Sequence, residues 1–135
     1  MRRILIPLVV ILSLLVAGAN AAADDVVEQF SAERFDELQQ EGAIIVVGTY
    51  ASWCSTCRAQ APILDRLMAE AEFSKIRFLR LDWDKQRREG RRLGAPRQST
   101  LIFFHGERRL GRSVAETREA KLREFLKENL EKADG

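Results

Sequence analysis

The chain has 135 residues, of which 46% are apolar and 31% are charged, which favours one domain with a single core and a well-solvated surface. Its formal net charge is +2, since it has 22 Lys and Arg against 20 Asp and Glu. Arg2 and Arg3 account for this excess, because no acid precedes Asp24, and residues 24–135 are formally neutral. A neutral domain gives no reason to expect nucleic-acid binding, and two cysteines are too few for a disulfide scaffold.

The first 23 residues have the pattern of a secretory signal peptide. Arg2 and Arg3 precede an apolar run over residues 4–16, and small residues follow it. The run of about 13 residues is shorter than the roughly 20 that a spanning helix needs. We therefore expect a cleaved signal peptide and a periplasmic mature domain over residues 24–135, with an uncleaved N-terminal anchor as the alternative.

The first half of the mature domain predicts two strands around a short helix. Residues 26–30 form the first strand, Ser31 caps the following helix, and Gly42 ends it. The segment AIIVVGTY, residues 43–50, is almost entirely apolar and rich in β-branched residues, which indicates a central strand buried on both faces. A second helix is predicted to begin near Cys54.

The second half predicts three more strands and two helices. Residues 76–83 form a third strand, and residues 85–93 form a short polar helix. The segment TLIFF, residues 100–104, is a fourth strand, and a tight turn leads to a fifth strand over residues 107–113. A last helix begins at about residue 116. The order is βαβαβαββα, which predicts an α/β fold with a central mixed sheet flanked by helices.

The short polar helix lies in a basic segment, KQRREGRRLG, residues 85–94. No aromatic residue interleaves with its arginines for base stacking, and the mature domain is neutral, so we expect no nucleic-acid partner. A solvated helix face is favoured over a docking patch for an acidic partner.

The cysteines, Cys54 and Cys57, are separated by two residues at the start of the second helix. The helix amides and the positive end of the helix dipole favour a thiolate at Cys54, and Arg58 adds a positive charge nearby. A lowered pKa makes an accessible Cys54 the better nucleophile near neutral pH. Cys57, one turn further, is placed to attack a mixed disulfide on Cys54, and Trp53 should offer an apolar docking surface beside the pair.

Other uses of the cysteine pair are less consistent with the sequence. A bridge that closes so short a loop stabilises little. Structural zinc needs four ligands, and beyond the two cysteines the chain has a single histidine, His105. A redox centre is therefore favoured. The alternative is a carrier that binds a metal such as copper(I) through the thiolates of Cys54 and Cys57. A further variant is a dimer whose four cysteines hold a metal or an iron–sulfur cluster.

The segment WCSTCR, residues 53–58, resembles the tryptophan-CxxC-basic motif of the thioredoxin family. Pro62 falls where that family has a helix-kinking proline. The segments LDWD (81–84), TLIFFHGE (100–107) and KLREFLKENL (121–130) resemble the end of its third strand, its hairpin and its last helix.

The resemblance extends over about residues 26–132 and implies a thioredoxin-like fold. It also implies a protein disulfide oxidoreductase in which Cys54 is the attacking thiol and Cys57 the resolving thiol. The cysteine pair is then the redox centre without a further cofactor, and protein thiols and disulfides are the partners. We expect a monomer.

Two positions depart from the family pattern in ways that affect the chemistry. The family's buried aspartate, six residues before the first cysteine, is Gly48 here, so the proton of Cys57 must leave by another route. The family's cis-proline, just before Thr100, is Ser99, an alignment we favour over one that uses Pro96. Without proline we expect a trans Gln98–Ser99 peptide, or a strained cis one. The Ser99 hydroxyl could then hydrogen-bond the thiolate or help to hold a metal.

A third departure, the Ser-Thr pair between the cysteines, matches neither reducing thioredoxins nor strong disulfide oxidants. The compact size is closer to periplasmic thioredoxin-like reductases, which receive electrons from a membrane protein. We therefore favour a reductase or exchange enzyme with a membrane-embedded electron donor. Its docking groove is predicted to be formed by Trp53, Gln98, Ser99 and Thr100.

Overall fold

The computed structural model describes residues 26–135, so the predicted signal peptide over residues 1–23 lies outside the described residues. In the described chain the strands and helices follow the predicted order, and a short 3-10 turn at Ala71–Phe73 is added. The elements are β1 (Val27–Gln29), α1 (Ala32–Gln40), β2 (Ile44–Tyr50), α2 (Ser55–Met68), β3 (Ile76–Asp82), α3 (Trp83–Leu93), β4 (Thr100–His105), β5 (Arg108–Val114) and α4 (Glu119–Asp134).

The strands form one mixed sheet with the order β1-β3-β2-β4-β5. Strands β1, β3 and β2 run parallel, whereas β4 is antiparallel to both β2 and β5. Strand β2 is therefore central, and its residues 45–49 are all buried, as the apolar β-branched segment predicted. A loop that follows the carboxyl end of β2 leads to the cysteine pair.

Helices cover both faces of the sheet, as predicted. Because side chains alternate along a strand, neighbouring residues of β2 face different layers. Val47 packs in a buried cluster with residues of α1 and α3, whereas Val46 packs in a second cluster with residues of α2 and α4. Both cysteines belong to the cluster on the side of α1 and α3.

Two helices begin at different residues from those predicted, in each case because of a local carboxylate. The Asp82 carboxylate accepts hydrogen bonds from the backbone N–H groups of Asp84 (3.0 Å) and Lys85 (3.3 Å), so α3 begins at Trp83. The Glu116 carboxylate accepts from the N–H groups of Thr117 (3.0 Å) and Arg118 (2.8 Å), so α4 begins only at Glu119. The exposed arginines of α3 agree with the predicted solvated helix face.

Within residues 26–135, none of the helices combines the length and the apolar character that a bilayer crossing requires.

Candidate active site

Cys54 is the N-cap of α2, as predicted from the helix pattern. Its backbone is extended (φ −85°, ψ 114°), and its Sγ accepts a hydrogen bond from the Cys57 N–H at 3.2 Å. This satisfies one of the amide groups that a helix start leaves free. The thiol is less accessible than expected, since Cys54 is only 7% exposed, but Cys57 is still more buried at 2%. Cys54 is therefore the sulfur that a substrate reaches first.

Ser99 places its hydroxyl against both sulfurs. Its Oγ lies 2.9 Å from Cys57 Sγ and 3.4 Å from Cys54 Sγ. The described chain contains no cis peptide bond, so the Gln98–Ser99 peptide is trans, the first of the two expected outcomes. The predicted contact between the Ser99 hydroxyl and the sulfurs is confirmed.

The backbone of Ser99 is strained and firmly held. Its φ of +62° is in the left-handed region, which non-glycine residues rarely adopt. The Ser99 N–H donates to the Thr49 carbonyl at 2.8 Å, and the Ser99 carbonyl accepts from the Ala115 N–H at 2.9 Å. Such positions cost about 1–3 kcal/mol and persist where the surroundings fix them, often at active sites.

The two cysteines ionise differently. Burial opposes ionisation of Cys54, but hydrogen bonds from the side chains of Cys57, Ser99 and Gln98 and from the Cys57 N–H outweigh it, so the pKa of Cys54 is lowered. Burial raises the pKa of Cys57, and the neighbouring Cys54 raises it further. In the reduced pair, Cys54 therefore ionises before Cys57, and Cys57 keeps its proton to higher pH.

The β2 side of the pair is apolar and tightly packed at Gly48. A Cβ atom at Gly48 would lie 2.8 Å from Phe78 Cζ and 3.3 Å from Leu101 Cδ2, so these side chains occupy the space that a longer residue would need. The adjoining cavity, between Gly48 and Cys57, has a volume of about 10 Å³, room for about one water molecule. The guanidinium of Arg80, which also lines it, pairs with Asp65 at 3.1 Å.

The residues predicted to form a docking groove differ in their placement. The ring of Trp53 is 57% exposed beside Cys54, and its indole N–H donates to both Asp84 oxygens (3.0 and 3.1 Å). Gln98 is half-buried, and its side chain contributes to the lowered pKa of Cys54. Thr100 is fully buried, and its hydroxyl donates to the Arg97 carbonyl at 2.7 Å, so it orders the loop. Contact of these residues with a substrate stays a prediction.

Arg58 is exposed, and its guanidinium donates to the Ser52 carbonyl at 3.3 Å. Its predicted influence on the pKa of Cys54 stays a prediction.

The alternative of a metal carrier gains no support from the described chain. Over residues 26–135, no cluster of three or more His, Cys, Asp and Glu side chains could hold a metal ion. His105 pairs with Ile44 at the amino end of β2, whereas the cysteines follow its carboxyl end. The histidine therefore lies at the opposite end of the strand from the sulfurs.

Comparison with known proteins gives the same picture as the geometry. A family model described as Thioredoxin matches residues 26–128. The chain belongs to the thioredoxin family. Thioredoxin from Buchnera aphidicola is 29% identical to it over 94 residues, which are 70% of this chain and 86% of the relative. Protein disulfide-isomerase erp38 from Neurospora crassa is 30% identical over 93 residues, 67% of this chain but only 25% of that protein.

Solved structures support the fold of this thioredoxin-family protein. Trxlp from Edwardsiella tarda has a TM-score of 0.71 and 32% identity, and the match covers 74% of this chain and 97% of that one. Thioredoxin from Malassezia sympodialis has a TM-score of 0.69 at 20% identity, over 76% of this chain and 92% of that one. The family and the CxxC pair together establish a thiol–disulfide oxidoreductase that acts on protein thiols and disulfides.

Sequence reasoning missed two residues that support the thioredoxin-family site. Thr49 holds the loop before β4, since its hydroxyl donates to the Arg97 carbonyl at 2.9 Å and accepts from the Thr100 N–H at 3.0 Å. Ala115, with a φ of +57°, holds the Ser99 carbonyl from the other side. A threonine within an apolar strand is a visible signal of such a role, but nothing in the sequence indicates a left-handed alanine.

Proposed function

We propose that this thioredoxin-family protein is an exported periplasmic enzyme that reduces or exchanges disulfide bonds in protein substrates. Cys54 attacks the substrate disulfide, and Cys57 resolves the mixed disulfide that results. The observation that carries the proposal is the position of Cys54 Sγ at the start of α2, with a lowered pKa and more exposure than Cys57. A thiolate at the more accessible sulfur is what the attacking role requires.

The preference for reduction or exchange over strong oxidation is supported by what surrounds the thiolate. Strong oxidants stabilise their reduced form heavily, which raises the reduction potential of the pair. Here burial opposes the thiolate, and within residues 26–135 the side chains that hydrogen-bond Cys54 are all uncharged. A thiolate stabilised by uncharged donors, without a charged side chain, is consistent with a pair that gives electrons to a substrate disulfide.

The exposed ring of Trp53 supports a protein as the substrate. An apolar ring that is 57% exposed beside a reactive sulfur can pack against an apolar side chain next to the substrate disulfide. The bond from its indole N–H to Asp84 holds the ring in place. We propose that the enzyme acts as a monomer and is re-reduced by a membrane-embedded electron-transfer protein.

The proposed activity is tested by titrating residues 24–135 against a glutathione redox buffer and by measuring reduction of a protein disulfide. We expect a reversible two-electron transition at a potential below that of the glutathione couple, with no bound metal. A potential in the range of strong oxidants would contradict the proposed direction. Stoichiometric, tightly bound metal with little disulfide turnover would favour the metal carrier instead.

The proposed location is tested separately with the N-terminal segment. Residues 1–23 are fused to a reporter enzyme that becomes active only in an oxidising compartment, and a matched fusion carries Arg2→Glu and Arg3→Glu. We expect export by the first fusion and its loss in the second. The mass of the exported full chain then shows whether the segment has been removed. Failure of both fusions to reach the periplasm would overturn the location and leave the redox activity untouched.

A further inference from the structure

The hydroxyl of Ser99 lies between the two sulfurs, at hydrogen-bonding distance from each. We infer that Ser99 is a catalytic residue that relays the proton of Cys57 when the mixed disulfide is resolved. This role rests on the oxidoreductase activity of the family and is independent of the proposed export and redox direction.

The hydroxyl of Ser99 can connect the two sulfurs through hydrogen bonds that run from Cys57 to Cys54. Either atom can donate at the 2.9 Å contact between Cys57 Sγ and Ser99 Oγ, and the Cys57 S–H, which also interacts with Cys54, can donate to this hydroxyl. Ser99 then donates its own O–H to the Cys54 thiolate across 3.4 Å. The chain of hydrogen bonds runs from the proton that must leave to the sulfur at which bonds are exchanged.

The other surroundings of Cys57 offer no base. Gly48 has no side chain, and Phe78 and Leu101 fill the space beside it. The buried Gln60 amide points its NH₂ group at the Glu116 carbonyl, at 2.8 Å. Among the described residues, Ser99 is therefore the side chain best placed to accept the proton of Cys57.

The resolving step balances with Ser99 as a relay. Cys57 Sγ forms a bond to Cys54 Sγ while the bond between Cys54 and the substrate sulfur breaks. The Cys57 proton passes to Ser99 Oγ, and the Ser99 proton passes to the departing substrate sulfur. The substrate leaves as a thiol, two electrons have moved to it from the cysteine pair, and Ser99 ends as a neutral hydroxyl. A serine is too weak a base to keep the proton, so both transfers must be coupled.

The backbone fixes the hydroxyl in this position. Ser99 is 2% exposed, and its two backbone hydrogen bonds hold it in the left-handed conformation that directs Oγ between the sulfurs. A strained, fully supported residue in direct contact with reacting atoms indicates a functional constraint.

The relay is tested by following the mixed disulfide between Cys54 and glutathione. Reduced protein is mixed with glutathione disulfide, quenched with acid, and analysed by mass spectrometry, which separates capture by Cys54 from first-order resolution by Cys57. Ser99→Gly removes the hydroxyl and relieves the strained φ. The control variant Ser74→Gly removes an exposed hydroxyl that follows the 3-10 turn and precedes the amino end of β3, away from the cysteines.

We expect Ser99→Gly to slow resolution at neutral pH by about tenfold or more, because a positioned proton-transfer group is lost. Its resolution rate should then rise with hydroxide concentration, whereas the wild type and Ser74→Gly share a flatter pH profile. Ser99→Ala should behave like Ser99→Gly. An unchanged rate and pH profile in both Ser99 variants would overturn the relay, and so would equal slowing in Ser74→Gly.

Discussion

Cys57 lies between two contrasting surroundings. On the side of the loop before β4, the Ser99 hydroxyl approaches its sulfur to 2.9 Å. On the side of β2, Gly48 is covered by Phe78 and Leu101, and only a cavity of about 10 Å³ remains. The polar contacts are thus on the side shared with Cys54, where disulfide exchange takes place. The comparison teaches that the loop and the first turn of α2 supply the contacts with the sulfurs, whereas β2 supplies packing at Gly48 and holds the loop through Thr49.

The largest effect on turnover is expected from replacing each cysteine by serine in turn. Cys54→Ser should reduce turnover by about a thousandfold or more, because the thiolate nucleophile is lost. In the Cys57→Ser variant, Cys54 should still attack the substrate disulfide, but the mixed disulfide should accumulate because the resolving thiol is missing. Mass spectrometry after reaction with a protein disulfide distinguishes the two results. A Cys54→Ser variant that forms the adduct through Cys57 would reverse the assigned roles.

A substitution on the β2 side should change stability. Gly48→Ala should lower the free energy of unfolding by about 1–3 kcal/mol, because the new Cβ would lie 2.8 Å from Phe78 Cζ and force a shift in a packed core. Denaturant unfolding of the reduced protein measures the change. The double variant Gly48→Ala with Phe78→Leu provides the control, since the smaller side chain makes room. Simple additivity of the two single effects would show that the ring is not the obstacle.

The pH dependence of alkylation should separate the two sulfurs. Only a thiolate reacts with an alkylating agent, and the pKa of Cys54 lies below that of free cysteine whereas that of Cys57 lies above it. Alkylation of Cys54 should therefore rise with pH and level off first, and Cys57 should require more alkaline solution. Ser99→Ala removes a hydrogen bond to the thiolate, so the Cys54 midpoint should move upward. Identical profiles for both sulfurs would contradict the difference described here.

The smallest effect is expected at Arg58. Its guanidinium is exposed and donates to the Ser52 carbonyl, and solvent screens the interaction of an exposed charge with the sulfur. Arg58→Ala should shift the alkylation midpoint of Cys54 upward by less than Ser99→Ala does. The same alkylation experiment measures both variants. A larger shift for Arg58→Ala would show that charge outweighs hydrogen bonding at this thiolate.

Much of the fold follows from local sequence patterns. The apolar β-branched residues of β2 predict its central position. A strand that is buried on both faces has no solvent-exposed face, so apolar and polar residues do not alternate along it. Ser31 and Cys54 predict helix starts, and both side chains accept the expected backbone hydrogen bonds. Helix α3 begins earlier and α4 later than predicted, because Asp82 and Glu116 bind backbone amides. Hydrophobic periodicity does not reveal such contacts.

The sequence predicts the two cysteines of the site better than it predicts the residues around them. Two cysteines on one helical turn, with a strand before them and a helix after them, favour a redox pair. The approach of Ser99 to both sulfurs depends on a left-handed φ and on backbone contacts with Thr49 and Ala115, which are distant in sequence. The low exposure of Cys54 also depends on tertiary packing, which the helix pattern does not describe.

Among residues 26–135, β1 and β5 are the edge strands of the sheet. Strand β1 has three residues, too few to template a long ladder, and β5 carries Arg108, Arg109 and Arg112. If a second molecule paired its own β5 with this β5, the arginines of the two strands would lie within a few ångströms of each other and repel. Short or cationic borders of this kind protect a folded chain from edge-to-edge aggregation.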